Sequence, residues 1–263
     1  MSGQFSAEIS KKEQISADIF RLTLVAPEIA DKARAGQFVM LRAGAALDPL
    51  LSRPFSIHQR MADGRIQVLF KVFGEGTRRL ANLEPGQVVG VVGPLGRGFS
   101  LQSGERICLV GGGMGIAPLF FLARELLRRA EPPEEIVVLL GARTAADLRQ
   151  LAREFEMMGL HPRLATDDGT LGHGGLIPEL LPLHLSGDKY QVYCCGPTPM
   201  MAAVASHCAA RQWPCQVSLE TMMACGISAC LGCAVKTTTK TDGYAHVCKD
   251  GPVFAATDIV WPS

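Results

Sequence analysis

Four cysteines near the C-terminal end of the sequence carry the spacing of a metal-binding set. The stretch "MACGISACLGCAVK" holds Cys225, Cys230 and Cys233, and "AHVCKDGPVF" adds Cys248 fifteen positions after Cys233. C-x4-C-x2-C followed by a distant cysteine is the plant-type [2Fe–2S] spacing, in which four thiolates hold two irons. A loop that wraps such a cluster turns its backbone amides toward the sulfurs. Gly226, Ser228, Ala229 and Gly232 leave room for that turn, and the two glycines tolerate positive φ. Zinc is the competing metal. Structural zinc sites pair two short knuckles or mix cysteine with histidine, whereas the intervals here are four residues, two residues and then a long gap. The stretch "MSGQFSAEISKKEQISADIF" contains no apolar signal region. The expected compartment is therefore the reducing cytoplasm, where thiols stay free or bind metal.

Other residues could hold a nucleotide. In "SRPFSIH", Arg53 offers a fixed, bidentate cation for a pyrophosphate, and Ser56 offers a hydroxyl where an isoalloxazine ring could be received. By itself the segment is equally a strand with one exposed arginine. In "FKVFGEGTRRL", Gly74 and Gly76 open a loop and Thr77 is placed to cap the helix that follows, whose free amides would attract an anion. "LVGGGMGIAPL" sets Gly111, Gly112, Gly113 and Gly115 between an apolar strand and a helix, with Pro118 close to the first turn. It lacks the third glycine of G-x-G-x-x-G, so packing alone competes with dinucleotide binding. In "CCGPTPMM", Cys195 and Gly196 fall at a strand end, where ligands gather in open α/β sheets, and Thr198 is placed to cap the next helix. "TDDGTLGHGG" brings Asp167, Asp168 and His173 into a polar loop without metal-ligand spacing, and Arg143 follows the second α/β strand. Cys108, Cys194, Cys208 and Cys215 sit inside strand and helix patterns and read as small buried residues.

These residues need two kinds of scaffold. Up to about residue 103, short alternating or β-branched segments such as "GQFVMLRA", "GRIQVLFKVF" and "GQVVGVVGPLG" are bounded by Gly and Pro, and only "GTRRLANL" reads as a helix. That pattern predicts a small antiparallel barrel over 1–103. Over 104–217, strands alternate with helices, which predicts βαβ units and a parallel sheet. Residues 218–263 are too few for a core of their own, so the cluster would staple them to the rest. A net charge of +1 gives no general attraction to nucleic acid or an anionic membrane, and the apolar runs are too short to span a bilayer.

Along the chain stand "RPFS", "GEGT", "GPLGRGF", "GGGMGIAPL", "CGPTPMM" and the four-cysteine loop, in that order. This order resembles the ferredoxin–NADP reductase superfamily, a flavin barrel followed by a nicotinamide domain. The C-terminal "ACGISACLGCAVK" with "HVCKDGPVF" is similar to one branch, the electron-transfer subunits of NAD-dependent (type B) dihydroorotate dehydrogenase. The resemblance spans essentially the whole chain. It implies FAD held by Arg53, Pro54, Phe55 and Ser56, by Leu69, Phe70 and Lys71, and by Gly76 and Thr77. It implies a [2Fe–2S] cluster on Cys225, Cys230, Cys233 and Cys248. It further implies a partner subunit that carries FMN and the pyrimidine site, in a heterotetramer of two of each chain. NAD is expected at Gly111, Gly112, Gly113, Gly115 and Gly196, with Cys195 as the candidate catalytic residue. Bulky Phe55 and Phe73 beside the flavin segments are a departure from the family pattern. The rival readings are a related NAD(P)H–ferredoxin oxidoreductase or sulfhydrogenase-type subunit, and a non-catalytic module stabilised by zinc.

Overall fold

The structure, a computed structural model, describes residues 3–43, 50–101, 106–185, 187 and 189–262. Six strands, β1 (Gly3–Gln14), β2 (Ile19–Val25), β3 (Phe38–Ala43), β4 (Arg53–Arg60), β5 (Arg65–Lys71) and β6 (Val88–Leu95), close into an antiparallel barrel in the order β1-β2-β5-β4-β3-β6. Alternation explains the closure. In β6 every second residue, Val89, Val91 and Leu95 among them, points inward and is buried. A four-residue helix α1 (Pro27–Ala30), with proline in its first turn, joins the expected α2 (Glu75–Ala81) in this part.

The second body is a seven-stranded sheet in the order β10-β9-β8-β7-β11-β12-β15. Its strands are β7 (Arg106–Gly112), β8 (Glu135–Ala142), β9 (Arg163–Thr166), the two-residue β10 (His173–Gly174), β11 (Gln191–Cys195), β12 (Cys215–Ser218) and β15 (Val253–Ala255). All neighbours pair parallel except β12 with β15. The helices α3 (Ile116–Leu127), α4 (Ala145–Glu156) and α6 (Thr198–Ala210) connect them. After β9 the sequence predicts another helix, but only a short 3-10 turn and α5 (Leu181–His184) form, because Pro178 and Pro182 interrupt the ladder. The chain passes from β7 to β8 on one side, and β11 returns on the other side of β7. The reversal lies between β7 and β11, where doubly wound sheets open a crevice.

The expected boundary at 103/104 lies outside the described residues. The expected boundary at 217/218 falls inside β12, and β15 from the C-terminal segment completes the same sheet. That segment also carries a hairpin, β13 (Ala234–Lys236) with β14 (Tyr244–His246). It is sewn to the barrel as well. The Arg97 amide donates to the Gly251 carbonyl at 2.6 Å, and a Cβ on Gly96 would meet Pro252 Cδ at 2.5 Å.

Candidate functional site

Between barrel and sheet lies a cleft of about 790 Å³. One wall comes from β4 and β5 through Pro54, Phe55, Ser56, Leu69, Phe70 and Lys71. The facing wall comes from the turn after β7, with Gly112, Gly113 and Gly115, and from Gly196 after β11. The fold therefore brings together ten of the residues expected from the sequence, from two segments of each body. Arg143 and Asp167 also line it, just after β8 and β9. Asp168 and His173 instead tie their own loop. Thr170 Oγ1 donates to Asp168 at 2.6 Å, and His173 pairs with Glu179 at 2.6 Å.

Arg53, Gly76 and Thr77 stand together beside the cleft. A Cβ on Gly76 would fall on the Arg53 guanidinium, which donates to the Leu51 carbonyl. Thr77 is not the N-cap. It sits at the third helical position, and its hydroxyl accepts the amides of Phe73 at 2.8 Å and Gly74 at 3.1 Å. This fixes the loop that holds Phe73 at the cleft edge, where the ring is 89% exposed. The missing side chain at Gly76 lets the cation lie against the first turn of α2, which suits a pyrophosphate. Arg53→Ala should weaken FAD roughly ten- to a hundredfold, since losing a charged hydrogen bond costs about 1.5–3 kcal/mol. Flavin titration checks this, and unchanged affinity would remove Arg53 from the site.

The wall formed by the turn after β7 and by Gly196 is shaped by close backbone approach. A Cβ on Gly115 would overlap the Cys195 carbonyl, and one on Gly112 would meet Pro197 at 3.1 Å. Gly113 has φ +54 and nothing within 4 Å of its missing side chain, so its backbone faces open space. These gaps fit a group that lies on bare backbone. Gly111 stays inside the sheet against Leu119 and does not reach the cleft. Cys195 also differs from expectation. Its side chain is fully buried and does not line the cleft, and burial holds the thiol protonated. Its contribution here is the backbone that packs on Gly115. Thr198 makes no side-chain cap, and the N-cap of α6 is Pro197.

Glu220 escaped the sequence reading. It lines the cleft just after β12, where its side chain is exposed to the cleft and partial desolvation there pushes its carboxyl pKa up. No local pattern marks it, because its setting comes from segments distant in sequence. Lys71 was expected at the flavin. It also reaches across to Asp147 of α4 at 3.1 Å and to Asp18 at 3.2 Å.

The cleft extends to Met223, two residues before the first cluster cysteine. The four cysteines come as two pairs. The Cys230 amide donates to Cys225 Sγ at 3.4 Å, and Cys233 Sγ lies 3.3 Å from Cys248 Sγ. The β13–β14 hairpin explains the long interval, since it starts beside Cys233 and returns the chain to Cys248. Burial opposes ionisation of Cys225, but the amides of Cys230, Ile227 and Ala229 bring its thiol down to about 7. Positive φ at Gly226, Ser228 and Leu231 turns those amides inward. Among the described residues, no three Cys, His, Asp or Glu side chains converge as a single-ion site requires. Two sulfur pairs with inward amides suit a two-iron cluster. A Cβ on Gly226 would meet Met40 Cγ at 2.6 Å, so the loop packs directly on barrel strand β3.

Three family models match in sequence. An oxidoreductase FAD-binding domain covers residues 6–99, and an oxidoreductase NAD-binding domain covers 109–206. The iron–sulfur cluster binding domain of dihydroorotate dehydrogenase B covers 220–260. The dihydroorotate dehydrogenase B (NAD(+)) electron transfer subunit of Desulforamulus reducens is 40% identical over 99% of this chain and 100% of its own. That of Bacillus caldolyticus is 36% identical over the same shares. Among solved structures, one of an NADH-dependent reduced ferredoxin-NADP oxidoreductase, from work on flavin-based electron bifurcation, matches with TM-score 0.84 and 29% identity, over 99% of this chain and 92% of that one. The ferredoxin reductase in carbazole 1,9a-dioxygenase matches in fold, with TM-score 0.69 and 23% identity over 81% of this chain and 67% of that one.

Proposed function

The chain belongs to the electron-transfer subunits of dihydroorotate dehydrogenase B, and from that premise we propose how its residues divide the work. It is an oxidoreductase subunit with FAD-, NAD- and iron–sulfur-binding domains in chain order. The observation that carries the proposal is the single cleft bordered by flavin strands, nicotinamide glycines and the approach to the cysteine loop.

In this reading Arg53 and the first turn of α2 neutralise the FAD pyrophosphate, while Pro54 to Ser56 and Leu69 to Lys71 hold the ring. The turn from Gly112 to Gly115, with Gly196, admits NAD onto bare backbone, and Cys195 supports that turn from below. Cys225 with Cys230, and Cys233 with Cys248, would together hold a [2Fe–2S] cluster. When bound, the cluster supplies one-electron transfer and the flavin supplies hydride exchange with the nicotinamide. The chain's own part is to place and insulate these groups.

The partner is a catalytic subunit that carries FMN and the dihydroorotate site. We assign its docking face to the outer side of the cysteine loop. There Met222 is 91% exposed, Ile227 57% and Leu231 56%, around the exposed Cys230. The assembly is a heterotetramer of two of each chain, in the cytoplasm. Among the described residues no helix is long and apolar enough to cross a membrane.

The test is a division of labour. The flavin-loaded chain alone should reduce ferricyanide with NADH and leave dihydroorotate untouched. Adding the FMN subunit should produce NADH from dihydroorotate and NAD+. Dihydroorotate oxidation by the isolated chain would overturn the proposal.

A further inference from the structure

A buried polar group joins barrel strands β1, β2 and β4 to helices α3 and α4. Arg21 of β2 donates from Nη1 to both oxygens of Glu154 on α4, at 2.7 and 2.8 Å. Its other nitrogens donate to Glu13 of β1 at 3.2 Å. His58 of β4 is 1% exposed and fills the space between. Its Nε2 lies 3.3 Å from Glu154 Oε2, and its Nδ1 lies 3.3 Å from the Ala117 carbonyl. The ring stacks on Phe120 of α3, with centroids 4.5 Å apart and planes at 14°.

The placement of these residues gives them a consequence for the cleft. His58 lies two residues beyond Ser56 on the flavin strand, and Ala117 lies two residues beyond Gly115 on the nicotinamide turn. Both Ser56 and Ala117 line the cleft. One imidazole therefore ties the flavin wall to the nicotinamide wall, and Glu154 anchors that imidazole to α4.

We propose that Glu154 and His58 are positioning residues for hydride transfer, holding the nicotinamide turn at its working distance from the flavin strand. This rests on the assignment of FAD and NAD to the two walls of the cleft. Both ring nitrogens face oxygens that only accept, since Ala117 offers a carbonyl and Arg21 keeps Glu154 ionised. A neutral imidazole has one N–H and serves one of them. The imidazolium serves both and draws the walls together. Burial lowers the proton affinity of His58 below its ordinary 6.5, against the pull of Glu154. The second bond therefore forms only as pH falls below that value. The charged groups facing the ring are Glu154 and Arg21; Glu13 stands behind Arg21, and Lys11 pairs with Glu13 at 3.0 Å. From α3 the ring meets Phe120 and the Ala117 carbonyl.

Rapid mixing of the flavin-loaded full chain with NADH separates a positioning role from a structural one. Below pH 6.5, where the second bond forms, Glu154→Gln should lower the limiting rate of flavin reduction roughly tenfold, as misplacement of reacting groups does. Its flavin content and NADH dissociation constant should stay within about twofold. The nearby exposed Glu156→Gln should match wild type. His58→Asn keeps a donor for Ala117 but cannot take a second proton. The ratio of wild-type to His58→Asn limiting rate should therefore rise as pH falls below 6.5. A Glu154→Gln chain with full flavin and an unchanged limiting rate overturns the positioning role alone. If Glu154→Gln does not fold, His58→Asn decides, and a pH-independent ratio overturns the role. A wild-type chain that holds no flavin, or whose flavin NADH cannot reduce, overturns the cleft assignment and the positioning role with it.

Discussion

Replacing Cys230 with serine should abolish dihydroorotate-to-NAD+ transfer in the complex while sparing most NADH-to-ferricyanide activity. Cys230 is the exposed member of the first sulfur pair and its amide supports Cys225, so serine there removes one of the four thiolates that would hold the cluster. The walls proposed for flavin and nicotinamide lie on the barrel and the sheet and do not include this residue. The measurement is a two-by-two assay, wild-type or Cys230→Ser chain, with or without the FMN subunit. The electron paramagnetic resonance signal of the reduced cluster is followed in parallel. Cys208→Ser, in the buried face of α6, serves as the control and should change neither. Full dihydroorotate-to-NAD+ transfer through a cluster-free chain would refute the proposed path.

The second large effect is expected at Gly115. Its φ of −61 is ordinary, so alanine meets no backbone strain there. The obstacle is contact, because the new methyl would sit on the Cys195 carbonyl and lie 2.6 Å from the Gly196 amide. Those atoms belong to a central strand end and cannot swing aside as a side chain would. Gly115→Ala should cost on the order of 1–3 kcal/mol of stability by overpacking. It should also weaken NADH more than tenfold by spreading the walls of the crevice. Gly113→Ala makes the opposite case, with open space around it but φ +54. Its cost should be about 1–2 kcal/mol of left-handed strain without steric overlap. Thermal unfolding and NADH titration of both variants check the contrast. A Gly115→Ala chain that melts and binds as wild type would show that the close approach is not needed.

The sequence makes the barrel, the parallel sheet and the order of binding segments legible because each rests on local chemistry. Alternation marked β6, glycines marked the turn after β7, and cysteine spacing marked the cluster loop. What it hides is set by partners far apart in the chain. Glu220 gains its place on the cleft only when barrel and sheet come together. His58 sat inside a recognised segment, but its partner Glu154 is 96 residues away. The fate of β15 was hidden for the same reason, since a three-residue strand has no periodicity to read and gains its place from β12. Thr77 and Thr198 were misplaced by a subtler cause. Either residue type suits an N-cap, but the helix start is decided by backbone geometry at Gly74 and Pro197.

The contact between Gly226 and Met40 fixes how the cysteine loop sits on the barrel. The interval between them is closed by touching atoms, with no linker that must fold shut. On the proposed path, a one-electron step between loop and barrel has no encounter to wait for. Thickening the solvent with sucrose would then slow the arrival of NAD+ and the docking of the FMN subunit. The internal step would keep its pace.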